Sequence, residues 1–281
     1  MTTKTSIGLV TPSFNQACYL EATIQSVLQD EYPGLQYAIV DGGSTDGSVD
    51  IIRKYQGRLH YWISEPDGGQ SEAINKGLRS ISADVVGWLN SDDLYLPGAL
   101  RLVGNMFASN PHVQVILGRT IFTDADLNII RACCHPRVFG FLSTRGVFYF
   151  SQQSMFWRRD LLERIGYLDE NLHTCMDMDL WIRFIRMRAK IKTVPHFLSV
   201  WRLHDNCKSC KTGWGAGPAW DRDRETLKNR YADMRYSRPT RSARLFYYAL
   251  KLLTGAAFSA MLFQARWKQR PLAEFIQTKS L

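Results

Sequence analysis

The sequence predicts an α/β fold: a mixed, mostly parallel sheet flanked by helices, with a C-terminal helical tail. Three observations predict it. Short apolar runs of strand length alternate with helix-period stretches over the first half of the chain. Each run ends in a polar or glycine-containing turn, and from Arg241 the composition shifts to long apolar segments edged by arginine and lysine. With 281 residues, 45% of them hydrophobic, the chain can bury a large core, read as one domain over 1–235 and a tail over 236–281.

Ile7 to Val10 reads as the first strand and Thr11-Pro12-Ser13-Phe14-Asn15 as the turn after it, ahead of a helix with Leu20, Ile24, Val27 and Leu28 on one face. Pro12 and Asn15 are turn formers, and a turn at a strand's carboxyl end lets backbone approach a nucleotide. An ordinary βα loop has the same spacing. The second strand, Tyr37 to Val40, ends at Asp41, and Gly42-Gly43-Ser44-Thr45-Asp46-Gly47 opens a helix with Val49, Ile51 and Ile52. An acid at that place suits a donor on a base or ribose, and the glycines admit close backbone approach. No G-x-G-x-x-G follows the first strand, which argues against a hydride-transfer enzyme.

Leu59 to Ser64 is the third predicted strand, and Glu65-Pro66-Asp67-Gly68-Gly69-Gln70 the loop before a helix with Ala73, Ile74, Gly77 and Leu78. That helix carries Ser71, Asn75 and Lys76 near its start and middle, where an anion gains from unpaired N–H groups and the dipole. A solvated lysine is the competing reading of Lys76. The fourth run, Val85 to Leu89, delivers Asn90-Ser91-Asp92-Asp93 at its end. Two adjacent carboxylates there offer the hard oxygen ligands that Mg2+ or Mn2+ prefers beside a diphosphate. The same residues are good helix caps ahead of Leu96, Leu100, Val103 and Phe107. Val113 to Gly118 and Thr120 to Phe122 predict a further strand, and Asp124-Ala125-Asp126 a hairpin turn, since Leu127 to Ile130 resumes an extended run.

With these pieces in order, the chain resembles family 2 glycosyltransferases, nucleotide-sugar enzymes of the Rossmann-like GT-A type. The resemblance rests on Val10 to Asn15, Asp41 to Ser48, Glu65 to Ser71, Asn75-Lys76-Gly77 and Trp88 to Asp93, and covers roughly residues 5 to 205. It implies that Thr11, Pro12 and Asp41 hold a uridine moiety and that Asp46 and Lys76 surround the nucleotide-sugar. Ser13, Asn15, Gly43, Ser44, Gln70, Asn75 and Asn90 fall in the same binding motifs. It also implies that Asp93 closes a D-x-D-like motif on Mn2+ or Mg2+; Ser91 lacks the first carboxylate, so Asp92 and Asp93 share ribose and metal contacts.

In the second half, Gln152 and Gln153 precede Phe156 and Trp157, a polar and aromatic pattern that suits a sugar acceptor, with a plain core role for the aromatics as the alternative. Met176-Asp177-Met178-Asp179-Leu180-Trp181 resembles the family's Glu-Asp motif, which implies Asp177 as catalytic base, with Asp179 and Trp181 beside the acceptor; Met176 replaces the first acid. One of the two aspartates is also expected to cap the helix. Trp201-Arg202-Leu203-His204 resembles the Arg-x-His segment, which implies His204 on the metal or diphosphate, and Cys207 to Gly217 then reads as a closing loop.

The formal net charge of +9 points to an anionic partner, read as a nucleotide or an acidic membrane surface rather than nucleic acid. His204, Cys207 and Cys210 have half the spacing of a zinc site with no second pair, so the cysteines read as reduced thiols. Met1 leads directly into a polar segment and a strand, which predicts no cleavable signal and a cytoplasmic location. The tail, apolar from Leu245 to Phe263 with Lys251 inside it, predicts a helix at the inner face of the cytoplasmic membrane, with packing on the domain as the alternative.

The expected function is an inverting, metal-dependent transfer of a sugar from a nucleotide-diphosphate donor, UDP-linked, to a glycan or lipid-linked acceptor in cell-surface polysaccharide synthesis. The alternatives are a nucleotide-sugar nucleotidyltransferase, or an inactive sugar- or membrane-binding homologue, which Met176 supports.

Overall fold

A computed structural model describes residues 5–134, 150–208, 217–232 and 241–278. In its first half, β1 (Ile7–Ser13), β2 (Leu35–Asp41), β3 (Tyr61–Ser64) and β4 (Val85–Trp88) alternate with α1 (Ala17–Leu28), α2 (Ser48–Tyr55) and α3 (Gln70–Ser80). Then come β5 (Leu94–Tyr95), α4 (Ala99–Ser109), β6 (Val115–Thr123), β7 (Ile129–Cys133), β8 (Met155–Arg158), α5 (Arg159–Ile165), α6 (Met176–Arg186) and β9 (Ile191–Arg202). Four helices close the chain: α7 (Pro218–Arg230), α8 (Arg241–Leu253), α9 (Ala256–Trp267) and α10 (Leu272–Gln277).

The nine strands form one sheet in the order β3-β2-β1-β4-β8-β6-β9-β5, with β7 paired to β6. Its first half is parallel, as βαβ connections require; β8 then enters antiparallel between β4 and β6, β7 and β5 also pair antiparallel, and β9 runs parallel to β6 along most of its length, so the sheet is mixed and mostly parallel, as expected. Strand order reverses beside β1, because β2 and β3 lie on one side of it and β4 on the other. A crevice opens at such a switch point, outside the carboxyl ends of the strands.

Apolar side chains of both sheet faces are buried, with Leu9, Ile39 and Val85 on one and Val10, Ala38 and Val86 on the other. Gly77 lets α3 approach β1, since a Cβ there would overlap the Val10 side chain. Phe156 and Trp157 are fully buried, so the core reading of these aromatics holds and the sugar-stacking one does not.

Two boundaries differ from expectation. The first strand continues through Thr11, Pro12 and Ser13, paired with Ile39, Val40 and Asp41. Pro12 is tolerated because β4 stops pairing at Val10, so the missing N–H faces no ladder on that side. The tail is not one helix but three: α8 and α9 meet at Gly255 (φ 71°), and α9 and α10 bury Phe263, Trp267, Leu272 and Phe275 against Leu94, Ile121, Ile129 and Val200 of the sheet. The packed alternative therefore describes the inner face of the tail. The 235/236 boundary, Cys210 and most of the expected closing loop lie outside the described residues.

Candidate active site

A cleft of about 1000 Å3 lies at the carboxyl ends of β1, β2 and β4. Of the residues singled out in the sequence, Pro12, Ser13, Asn15, Gln70, Asn90, Asp92, Gln152, Gln153 and Asp177 line it. The others lie beneath or beside it. Thr11 is buried against the Tyr37 hydroxyl at 2.9 Å. Gly43 has a left-handed φ of 81°, which a side chain would strain.

Asp41 is fully buried, and its Oδ2 accepts the Gly43 and Ser44 N–H groups and the Ser64 hydroxyl while Oδ1 accepts Ser44 Oγ. Its carboxylate thus shapes the glycine-containing loop, whose Gly42 lines the cleft. Asp46 does the same for α1 and α2, accepting Ala17 N–H, Ser48 N–H and Ser48 Oγ. Burial alone would raise its pKa, but these bonds outweigh it and hold the carboxyl below its ordinary value. Asn75 is buried and holds the Leu168 backbone at both its N–H and C=O, and Lys76 pairs with Glu65 and Glu72. Neither reaches the cleft wall, so their expected donor contacts are corrected.

The carboxylate pair is positioned by a two-residue strand that the sequence reading missed. Leu94 pairs antiparallel with Val200, so the chain before β5 runs back alongside the chain after β9. That register brings the Arg202 N–H to Asp93 Oδ1 at 3.1 Å and His204 Nε2 to Asp92 Oδ2 at 3.2 Å. Thr23 Oγ1 on α1 ties down the carbonyls of Ser91 and Asp93, and the helix after them starts at Gly98, so Asn90, Ser91 and Asp92 do not cap it.

The two acids have different fates. Asp93 is fully buried, its Oδ2 bonded to Gln153 Nε2 at 2.8 Å, and burial followed by repulsion from Asp92 pushes its pKa well above the carboxylate range. Asp92 stands at the cleft wall. Asp93 thus anchors the turn that presents Asp92 to the cleft. His204 Nδ1 has no hydrogen-bond partner, which leaves the ring proton on Nε2 facing Asp92. A carboxylate oxygen and an imidazole nitrogen at this spacing are donors that would suit a divalent cation. Among the described residues no three His, Cys, Asp or Glu side chains converge on one point.

At the other side of the cleft, α6 begins with Asp177, whose Oδ1 accepts the Met178 N–H at 2.7 Å. Burial raises its pKa. Lys208 also lines the cleft, donating to Gln70 Oε1 at 3.1 Å; burial lowers its pKa, partly offset by the charge of Asp177. Asp179, two residues on, is buried away from the cleft and accepts from Arg183, Arg230 and Tyr231. Trp181 is fully buried and stacks on Phe150 at 4.7 Å. Their expected acceptor contacts are corrected to a packing role. Neither aspartate side chain caps α6; Asp223 of α7 instead fixes the turn before it, its Oδ2 accepting the N–H groups of His173, Thr174 and Cys175.

Sequence reasoning also missed three cleft residues: Phe14, 61% exposed, Tyr19, whose ring is tilted against His204 at 4.3 Å, and Asp67, whose pKa burial raises. Phe14 and Asp67 fall within the motifs Val10 to Asn15 and Glu65 to Ser71, whereas Tyr19 falls in none.

The sequence model described as Glycosyl transferase family 2 matches residues 9–166, more than half of the chain. The chain belongs to glycosyl transferase family 2. An uncharacterized glycosyltransferase of Rickettsia typhi is 26% identical over 194 residues, 65% of this chain and 59% of that protein. The putative teichuronic acid biosynthesis glycosyltransferase TuaG of Bacillus subtilis is 38% identical over 93 residues, 32% of this chain and 37% of that one. This family 2 chain thus spans about three-fifths of the length of the Rickettsia relative. Among solved structures, the mannosyltransferase PcManGT of Pyrobaculum calidifontis, in complex with GDP-Man and Mn2+, superposes with a TM-score of 0.59 at 19% identity, over 99% of this chain and 80% of that one. TarS of S. aureus, in complex with UDP-GlcNAc, gives 0.58 at 16% identity, over 80% and 65%. These likenesses show the GT-A fold, as expected.

Proposed function

We propose that the chain is an inverting glycosyltransferase that moves a sugar from a nucleotide-diphosphate donor, UDP-linked, to a hydroxyl of a glycan or lipid-linked glycan in cell-surface polysaccharide synthesis. One observation carries the reading: Asp177, a carboxylate with a raised pKa, lines the same cleft as the Asp92 carboxylate backed by His204. A base poised nearer neutrality and a place for a diphosphate are the two requirements of a single displacement.

In that displacement the acceptor oxygen attacks the anomeric carbon as Asp177 takes its proton, and the bond from that carbon to the diphosphate oxygen breaks, the oxygen leaving with the electron pair. Attack from the opposite face inverts the carbon, and no covalent enzyme intermediate is needed. Asp92 and His204 would hold Mn2+ or Mg2+, which supplies positive charge against the departing diphosphate. Phe14, Pro12 and Pro66 give the nucleoside end of the cleft an apolar wall, and Lys208 adds a cation. Met176 packs into the main core and leaves Asp177 as the acid at the start of α6, which supports an active enzyme over an inactive homologue.

Calorimetric titration with uridine diphosphate tests the donor end. Carboxylate and diphosphate repel unless a cation bridges them, so affinity should rise at least tenfold when Mn2+ replaces chelator, and His204→Ala should remove most of that gain. Equal affinity with and without metal rejects the Asp92–His204 assignment.

A further inference from the structure

Large apolar side chains left in solvent are concentrated on two consecutive tail helices. On α8, Leu245, Tyr248 and Leu252 are 62%, 56% and 69% exposed, and their spacing of three and four residues puts them on one face. On α9, Phe258, Met261 and Leu262 are 63%, 65% and 54% exposed with the same spacing. Beyond these two helices, the described residues leave only Phe14 and Met187 comparably bare. The opposite sides are occupied: Tyr247, Ala256, Phe263 and Trp267 are buried, and Phe263 and Trp267 pack on the Phe275 ring at 5.5 and 5.4 Å. A contiguous apolar patch of this kind on a soluble face marks an interaction site.

Charge selects the partner. Arg266, Lys268 and Arg270 follow the patch, while Lys251 sits over the buried Tyr247 ring on the inner side of α8, and Glu274 is the only acid from Arg241 to the end of the chain. A second copy of the same patch would set these cations against their equivalents, while an anionic leaflet offers them counter-charges and offers the apolar rings and chains an acyl boundary. No single helix among the described residues is long and apolar enough to cross a membrane. The two helices are bent by 75° at their junction, and a span through both would pull Phe263 and Trp267 out of the core they share with Ile121 and Val200.

We propose that the α8–α9 elbow is a docking surface for an anionic lipid bilayer, held outward by a tail whose inner side is part of the domain core. Leu245, Tyr248, Leu252, Phe258, Met261 and Leu262 enter the headgroup boundary, and Arg266 and Lys268 meet the phosphates. The surface is independent of the chemistry assigned to the cleft, and it differs from a free amphipathic tail in being prefolded.

Flotation of the full chain on vesicles of phosphatidylcholine alone, or of roughly equal parts phosphatidylcholine and phosphatidylglycerol, tests this. The protein should float at least tenfold better with the anionic vesicles. The double variant Leu252→Glu with Met261→Glu should lose that binding with an unchanged thermal melt, since both side chains are in solvent. Arg266→Gln with Lys268→Gln should weaken it severalfold and leave the salt-resistant part. Flotation of the glutamate variant equal to the parent overturns the proposal, as does equal binding to both vesicle types. So does a parent that ignores vesicles but forms a dimer which the glutamate variant splits.

Discussion

As the proposed base, Asp177 is under two opposed demands. A base must be ionised to accept a proton, yet burial at the start of α6 favours the neutral form of Asp177 and raises its pKa. The acid limb of kcat/KM should therefore lie above the ordinary aspartate value of about 3.9 and disappear in Asp177→Asn. A limb unchanged by that substitution places the base elsewhere. The stability sign follows from the same shift. A carboxyl whose folded pKa exceeds its unfolded one favours folding below the unfolded pKa, and that advantage is lost as pH rises through the folded value. Asp177→Asn should accordingly melt no lower than the parent at pH 7. Asp179 differs in kind, since its buried carboxylate satisfies Arg183, Arg230 and Tyr231. Asp179→Ala leaves those donors without their acceptor and should cost about 3–5 kcal/mol in denaturant unfolding, the scale for breaking a buried pair. A loss under about 1 kcal/mol would show the network to be solvated. Sequence alone could not separate two aspartates one turn-step apart; their difference comes from which side of α6 meets the α7 helix.

At the scale of elements, short segments decide the site. The two-residue β5 sets the register that joins Asp92 to His204, and α7 fixes the turn before α6 through Asp223, which is 1% exposed. Asp223→Ala should free three backbone N–H groups ahead of Asp177, at about 1–3 kcal/mol of stability. The loosened wall should lower turnover more than donor affinity. Unchanged turnover in a folded variant would reduce Asp223 to a packing residue. The parallel strands and their helices were legible because each is buried on one or both faces and keeps its period. β5 was not, being too short for any period, and neither was the extension of β1 through Pro12, because a proline reads as a strand end unless the neighbouring strand is known to stop first. The motifs that their order singled out bring Pro12, Asn90 and Asp92 together on one cleft. Motif order could not tell which polar residues in those motifs face the ligand and which, like Asp41 and Asn75, are consumed in holding the loops.

For the whole molecule, the order reversal beside β1 opens the cleft, the second half of the sheet carries α6 to one wall and sets His204 behind Asp92 at the other, and the tail closes the opposite end of the sheet with a basic apolar face. Donor, base and acceptor must meet in that one cleft if the account is right. The most direct measurement is release of nucleoside diphosphate from a panel of nucleotide-sugars, with Mn2+ and a lipid-linked glycan acceptor, by the parent and by Asp177→Asn. The parent should release nucleotide only when acceptor is present, and the variant should bind the donor as well but turn over roughly 10²-fold more slowly or worse, the scale of losing a general base. Near-parental turnover by Asp177→Asn at saturating acceptor would contradict the central claim.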